Sequence, residues 1–311
     1  MEFFHKATNF PFMSTRKLWY ALSIVLMLLS IGSFFVRGLN LAVDFTGGVQ
    51  IQTTFAQSAN IDALRAALVA AGFHEPQAQN LGSAREVVIR LPAEAGQSGD
   101  AVRAKVDGVL HALDPKAEVT SLDVVGASVG SELKSGAVVA LTATLALIFL
   151  YIAFRFHTWR LSLGAILAVL HDPILVLGAF SLSQTSFDLP VVSAMLAVIG
   201  YSLNDTVVVF DRIRERFETS RRLDPVVALD QSINQTLSRT IMTKVVTLIV
   251  VVALYLFGGV ALHGFSLALI IGIVAGTYSS IYISSAIALD CGLKAEHLLP
   301  ISITKPVDNL P

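Results

Sequence analysis

Two carboxylates lie inside long apolar stretches of this chain, where a charged side chain is costly. Asp205 lies in the apolar run 189–210, and Asp172 lies beside His171 in the middle of the run 161–182. A carboxylate at the centre of a membrane-spanning helix costs roughly 2.5–3.5 kcal/mol on insertion scales and usually marks a proton or ion pathway. These residues therefore indicate a transporter or an energy-coupling subunit.

Asp205 has the stronger functional case. It lies about 22 Å along its helix from the outer end, in the inner half of a bilayer, and Ser202 and Asn204 beside it offer hydrogen-bond partners. The functional interpretation is a carboxylate that loads and releases a proton. The alternative is a polar contact that holds two helices together.

A cation could accompany Asp205. Arg239 stands just before the fifth apolar run, where it is either the partner of Asp205 or a positively charged anchor at the membrane surface. Lys244 could take either role too. His171 and Asp172, followed by Pro173, have the ingredients of a proton relay. The alternative is a hydrogen-bonded pair that stabilises a proline kink.

The elements that must position these residues are membrane spans. The chain of 311 residues is 54% hydrophobic and only 14% charged, whereas a soluble domain carries about 25% charged residues. Six apolar runs are long enough to cross a bilayer: 18–36, 135–154, 161–182, 189–210, 245–262 and 265–289. The first run lacks a cleavage site of small residues, so we expect an uncleaved anchor. Cys291 is the only cysteine, which excludes an intrachain disulfide.

Lys and Arg in the short loops predict the orientation, because cytoplasmic loops carry more of them. They cluster before the first run, between the second and third, and between the fourth and fifth, whereas the other short loops have none. Both termini are therefore predicted to be cytoplasmic. The expected organisation is a cytoplasmic segment 1–17, a first span 18–36, an outer domain 37–134, a five-helix bundle 135–289 and a poorly ordered cytoplasmic tail 290–311.

The outer domain shows a mixed pattern. Strands are predicted at 49–55, 77–81, 86–91 and 118–125, with helices at 61–71 and 100–113. This βαββαβ order predicts a small ferredoxin-like α+β domain. It contains no Ser–His–acid set, no glycine-rich phosphate loop and no metal-spaced cluster, so a binding or mechanical role is expected rather than catalysis.

Several sequence motifs together resemble the SecD/SecF family, relatives of the resistance-nodulation-division transporters. The resemblance covers nearly the whole chain. Its motifs are the segment with Asp44, Phe45, Gly47 and Gly48 after the first run, residues 125–133, His171-Asp172, residues 200–215 around Asn204-Asp205, residues 235–240 and residues 255–259. Ala127 stands where the family usually has proline, and Lys244 where it usually has a small or hydroxyl residue.

The resemblance implies a SecF-type subunit: half of a resistance-nodulation-division-like bundle, with six transmembrane helices and a small ferredoxin-like periplasmic domain. It implies a bacterial inner-membrane location and SecD as the partner that supplies the other half. It implies that proton-motive force assists preproteins crossing the SecYEG channel, with YajC as a further associated protein. It assigns Asp205, Arg239, Asn204, His171 and Asp172 to the proton pathway. No catalytic residue, metal, cofactor or nucleic-acid partner is implied.

Two other functions remain open from the sequence. One is a small-molecule or lipid exporter of the same superfamily, although exporters that capture substrate outside usually have larger outer domains. The other is an intramembrane aspartyl protease using Asp172 and Asp205. Neither aspartate lies in the Gly-x-Gly-Asp setting typical of such proteases.

Overall fold

The computed structural model describes residues 8–81, 83–92, 99–156 and 158–298. Lys6, one of the basic residues before the first apolar run, and the part of the predicted tail beyond residue 298 lie outside the described residues. In chain order the helices and strands are α1 (Arg16–Arg37), α2 (Val43–Thr46), β1 (Gly48–Thr54), α3 (Ile61–Ala70), β2 (Gln77–Leu81), β3 (Ser83–Leu91), α4 (Gly99–Leu113), β4 (Glu118–Val125), α5 (Ala127–Phe156), α6 (Trp159–Ser183), α7 (Leu189–Thr219), α8 (Pro225–Phe257), α9 (Val260–Tyr278), a π-helical segment (Ser279–Ile283) and α10 (Ser284–Asp290).

The predicted six spans are confirmed: α1, α5, α6, α7, α8 and the stretch formed by α9, the π-helical segment and α10 are long and apolar enough to cross a membrane. The bounds differ most for the fifth span, predicted at 245–262. Helix α8 begins earlier because Asp224 caps its first turn, and it ends at Phe257, before Gly258 and Gly259. Gly259 has a φ of +69°, a conformation that glycine adopts at little cost. Hydropathy detects only the apolar part of such a helix.

Three helices form the centre of the bundle. In α6, α7 and the sixth span, 56% of the most apolar window is buried, against 6–17% in α1, α5 and α8. The small residues of the sixth span explain the close packing, since a Cβ added at Gly272 would collide with Val198 of α7. The sixth span therefore packs tightly against α7 within the bundle. Helix α6 continues through Pro173.

The outer domain is a four-stranded antiparallel sheet in the order β2-β3-β1-β4. Helices α3 and α4 bury their apolar faces, including Leu64, Leu68 and Val106, against Ile51 and Ile89 of the sheet. The predicted ferredoxin-like domain is therefore confirmed, with β3 beginning at Ser83 rather than 86.

The chain between α1 and β1 joins this domain to the bundle. Leu41 forms a parallel bridge with Phe187, which lies in the turn between α6 and α7. Gly47 has a φ of +71°, and a Cβ placed on it would lie 2.7 Å from the Ala127 Cα at the start of α5. A larger residue at 47 would thus be both strained and obstructed.

Candidate functional site

Asp205 forms a buried ion pair with a cation from the neighbouring helix. The Nζ atom of Lys244 on α8 lies 2.7 Å from Oδ2 of Asp205 on α7, and the two side chains are only 5% and 9% exposed. The atoms are in charge contact without hydrogen-bond alignment, and neither has a hydrogen-bond partner among the described residues. Each charge therefore depends on the other, because an unpaired buried charge is very costly.

The Tyr201 ring, one helical turn before Asp205, packs against the Lys244 ammonium of this pair. The Lys244 ammonium lies 4.0 Å from the centre of its ring, a cation–π contact that is worth most when water is excluded. The Tyr201 hydroxyl donates to the carbonyl of Thr243 over 3.0 Å and lies 2.8 Å from the Thr247 hydroxyl. These bonds tie the ring to α8, so the geometry of the pair is fixed from both helices.

The two other residues predicted near Asp205 lie elsewhere. Arg239 is exposed and forms no ion pair with any described residue; Lys244 occupies the position beside Asp205. Asn204 is also exposed, and within the described ranges its side chain has no hydrogen-bond partner. Their roles in the pathway remain predictions.

His171 and Asp172 belong to a second polar cluster, buried in the centre of the bundle. The imidazole Nδ1 lies 3.1 Å from Asp172 Oδ1, and its Nε2 lies 3.2 Å from the Ser23 hydroxyl of α1. The Ser202 hydroxyl donates to Asp172 Oδ2 over 2.5 Å. A continuous set of contacts therefore crosses from α1 through α6 to α7, and it reaches α7 one turn from Asp205.

The sixth span closes this cluster. A Cβ on Gly276 would lie 2.9 Å from the Ser202 hydroxyl and 3.1 Å from Asp172 Oδ2, so only glycine leaves room for their bond. The Tyr278 hydroxyl contacts Ser23 and donates to the Trp19 carbonyl over 3.1 Å. The π-helical segment begins at the next residue, and such segments often occur at functional sites.

The two buried polar clusters do not resemble the paired carboxylates of an aspartyl protease. Asp172 is bonded to His171 and Ser202, whereas Asp205 is paired with Lys244. The two carboxylates thus have separate partners on different helices. Among the described residues, no group of three His, Cys, Asp or Glu side chains is placed to hold a metal ion.

The motif residues predicted after the first span lie at the junction of the two domains. Asp44 Oδ2 accepts a hydrogen bond from the Leu189 amide (2.9 Å), at the first turn of α7. Phe45 packs against Phe187, while Gly47 and Gly48, both with positive φ, turn the chain into β1. This motif therefore connects the outer sheet to the start of the helix that carries Asp205.

Asp188 caps the same helix end, with its Oδ1 accepting from the Val191 amide over 3.0 Å. Burial, reinforced by the negative charge of Asp44, raises the pKa of Asp188 to about 6. Sequence reasoning did not identify this residue, nor Ser23, Tyr278 and Arg90. A serine or tyrosine in an apolar helix gives no periodic signal, although an Asp directly before Leu-Pro is a typical helix cap.

Comparison with known proteins places these features in a family. Residues 105–294 match the model for the C-terminal part of SecD/SecF protein export membrane proteins, and residues 32–59 match the SecD/SecF GG motif. The protein translocase subunit SecF of Haemophilus influenzae is 48% identical over 96% of this chain and 91% of its own length. The SecF subunit of Pseudomonas aeruginosa is 43% identical over 98% and 99%.

Solved structures agree. The crystal structure of SecDF from Thermus thermophilus, a translocon-associated membrane protein, is 38% identical, with a TM-score of 0.84 over 91% of this chain. A SecDF structure in a super-membrane-facing form gives a TM-score of 0.68. The present chain spans 39% of the SecDF chain in each case. The chain therefore belongs to the SecD/SecF family of protein export membrane proteins, as a member of its SecF branch.

Proposed function

We propose that this multi-pass membrane protein is the SecF-type half of a SecD–SecF complex that uses proton-motive force to assist preprotein translocation through SecYEG and release on the outer side. The observation that carries the proposal is the Asp205–Lys244 pair, buried inside a membrane-spanning bundle. Two charges that merely joined helices could be replaced by a neutral hydrogen bond at lower cost.

Protonation provides a switch at this pair. A proton on Asp205 removes the negative charge and leaves the Lys244 ammonium without its counter-ion in a site that excludes water. The paired arrangement then loses its stability relative to any arrangement that solvates the ammonium, so the two helices shift population between states. Proton release on the other side restores the pair. The Asp172–Ser202 bond connects α6 to the same part of α7.

The exposed polar residues support a membrane partner. Asn204 on α7 and Arg239 on α8 are exposed on helices that span the membrane. Lipid chains offer no hydrogen bonds, so such groups are expected to face protein or a water-filled cavity. Helices of a SecD subunit would cover Asn204 and Arg239, and polar groups of SecD would then contact Arg239. YajC remains a further partner implied by resemblance alone.

The orientation follows from charge. The end of α7 opposite the outer domain carries Arg214 and Arg216, and the short connection to α8 adds Arg221 and Arg222. This bias places that end in the cytoplasm. Both termini would then be cytoplasmic, in the inner membrane of a bacterium, and the sheet domain would face the periplasm.

Inverted membrane vesicles test the proposal. Vesicles would contain SecD with either the wild-type chain or Asp205→Asn, and completion of preprotein translocation would be measured with and without a proton gradient. We expect the gradient to stimulate the wild type only. Equal stimulation in both, with equal SecD assembly, would refute the role of Asp205.

A matched control is Asp211→Asn. Asp211 lies on the same helix, in a pair with Arg155 that is partly exposed, and its variant should respond like the wild type. Collapsing the pH gradient while imposing a sodium gradient identifies the coupling ion. Stimulation by a sodium gradient alone would contradict proton coupling, and Asp205 would then be assigned to a sodium pathway.

A further inference from the structure

Arg90 is a buried arginine on the outer sheet that makes contacts beyond its own domain. It lies near the end of β3 and is only 6% exposed. Its Nη1 donates to the Asn40 side chain over 2.8 Å, its Nε to Gln50 over 3.3 Å, and its Nη2 to the Ser186 hydroxyl. Burying a guanidinium is costly unless its donors are satisfied, so this position must be held by specific contacts.

The three acceptors belong to different parts of the chain. Gln50 lies on β1 within the sheet, Asn40 lies in the connection after α1, and Ser186 lies in the turn between α6 and α7. Asn40 strengthens the link between the connection after α1 and the turn between α6 and α7. Its side-chain amide donates to the Gln184 carbonyl over 2.8 Å, and its backbone carbonyl accepts from the Phe187 amide over 2.8 Å. A single guanidinium thus connects the outer sheet to the turn that leads into α7.

That turn is the capped end of the helix that carries Asp205. The carboxylates of Asp188 and Asp44 accept the first free amides of α7, where the helix dipole favours negative charge. The positive charge of Arg90 acts on both carboxylates. We call Asp44, Asp188 and Arg90 the α7 cap.

The α7 cap and Asp205 are joined by uninterrupted helix, since α7 runs from Leu189 to Thr219. We propose that Arg90 is a positioning residue that couples the orientation of the outer domain to α7, and hence to the state of the Asp205–Lys244 pair. This inference rests on the proposed function. An arginine suits the role because its planar fork holds several acceptors in fixed geometry, which a lysine does not.

Coupling between the two sites is measured by a cycle of four proteins: the wild type, Asp205→Asn, Arg90→Met and the double variant, each as the full chain in lipid nanodiscs with its SecD-type partner. Hydrogen–deuterium exchange of the amides at 184–191 is the readout. We expect Asp205→Asn to change these exchange rates by about 2- to 30-fold when Arg90 is present. In the Arg90→Met background the same substitution should change them little.

A purely structural role predicts a different result. Arg90→Met would then raise exchange, but Asp205→Asn would produce the same fold-change in both backgrounds, and this outcome would overturn the inference. So would an absence of any effect of Asp205→Asn on the turn. Arg85→Met is the matched control, because Arg85 is exposed on the same strand and should retain the wild-type response.

A second readout separates this inference from the proposed function. Vesicles with Arg90→Met should translocate normally without a gradient and lose gradient stimulation, with Arg85→Met stimulated normally. If the wild type itself shows no stimulation, the proposed function fails, and the exchange cycle alone decides the role of Arg90. Full stimulation in Arg90→Met, in vesicles where the wild type responds, would refute the coupling.

Discussion

Replacing Asp205 with asparagine leaves the Lys244 ammonium buried without a counter-ion, and the cost of this change can be worked from the structure. The charged atoms are 2.7 Å apart, and both side chains are at least nine-tenths buried. Removing one partner of such a pair typically costs about 3–5 kcal/mol, whereas replacing both with apolar groups of similar size is often neutral. We expect Asp205→Asn and Lys244→Met each to lower the free energy of unfolding by about 3–5 kcal/mol.

The double variant Asp205→Asn/Lys244→Met should recover most of this stability, so the coupling energy of the cycle should exceed about 3 kcal/mol. Unfolding in mixed micelles by increasing denaturing detergent, followed by circular dichroism, measures each value. The recovered protein should still show no gradient-stimulated translocation, which separates loss of folding from loss of the titratable group.

The Arg155–Asp211 pair provides the internal comparison. Its side chains are 34% and 42% exposed, and exposed pairs couple by about 1 kcal/mol or less. If the effects of the Asp205 and Lys244 substitutions were additive to within about 1 kcal/mol, the predicted coupling would be refuted. Additivity would mean that water or lipid headgroups reach the site and solvate each charge separately.

Three further substitutions test the packing and the cap. Gly276→Ala should lower the free energy of unfolding by about 1–3 kcal/mol in the same assay, because its Cβ would lie 2.9 Å from the Ser202 hydroxyl. Gly200→Ala is the control and should leave stability unchanged, because Gly200 has open space around it. Equal effects of the two substitutions would contradict the packing at Gly276. Gly47→Ala should destabilise the protein by at least about 1 kcal/mol, because residue 47 has a positive φ and an added Cβ would contact the α5 backbone. The effect should appear as a lower midpoint of thermal unfolding. An unchanged midpoint would contradict tight packing at the junction of the outer domain and the bundle. Asp188→Asn keeps a capping side chain and removes the charge. Burial raises the pKa of Asp188 from 3.8 to about 6, so the folded state favours the protonated carboxyl. The stability from this proton is present at pH 4 and is lost as the pH rises through 6. Relative to the wild type, Asp188→Asn should therefore be more stable by up to about 3 kcal/mol at pH 8 and equally stable at pH 4. A gain that does not depend on pH would refute this assignment.

The outer domain could be predicted almost completely from the sequence. Alternation in strands and three- and four-residue spacing in helices are local signals, and turns between them are short, so the order βαββαβ leaves few possible topologies. Asp205 was also predictable, since a carboxylate in an apolar run is conspicuous by itself.

The partner of Asp205 could not be predicted. Arg239 and Lys244 are five residues apart, which separates their side chains by about 140° around α8. Which of them faces α7 depends on how the two helices are rotated against each other, and this is fixed by side-chain packing along their whole contact. The sequence offered both cations, and the structure places Lys244 at the site.

Arg90 escaped prediction for a related reason. A strand with one face on its helices normally exposes the residues of its other face to water. The last five residues of β3 are all buried, however, because the membrane bundle covers the second face at the junction. Contacts between domains leave no periodic signature in either domain.

The length and continuity of α7 have a mechanical consequence. Asp205 lies about 25 Å along the helix from its capped end, so a tilt of only about 5° around that end would displace it by about 2 Å. Such a displacement is large compared with the 2.7 Å separation of Asp205 and Lys244. The proposed coupling between the ion pair and the outer domain therefore requires no bending or unwinding of α7. A rotation of a few degrees, smaller than ordinary variation in helix packing angles, is enough to make or break the pair.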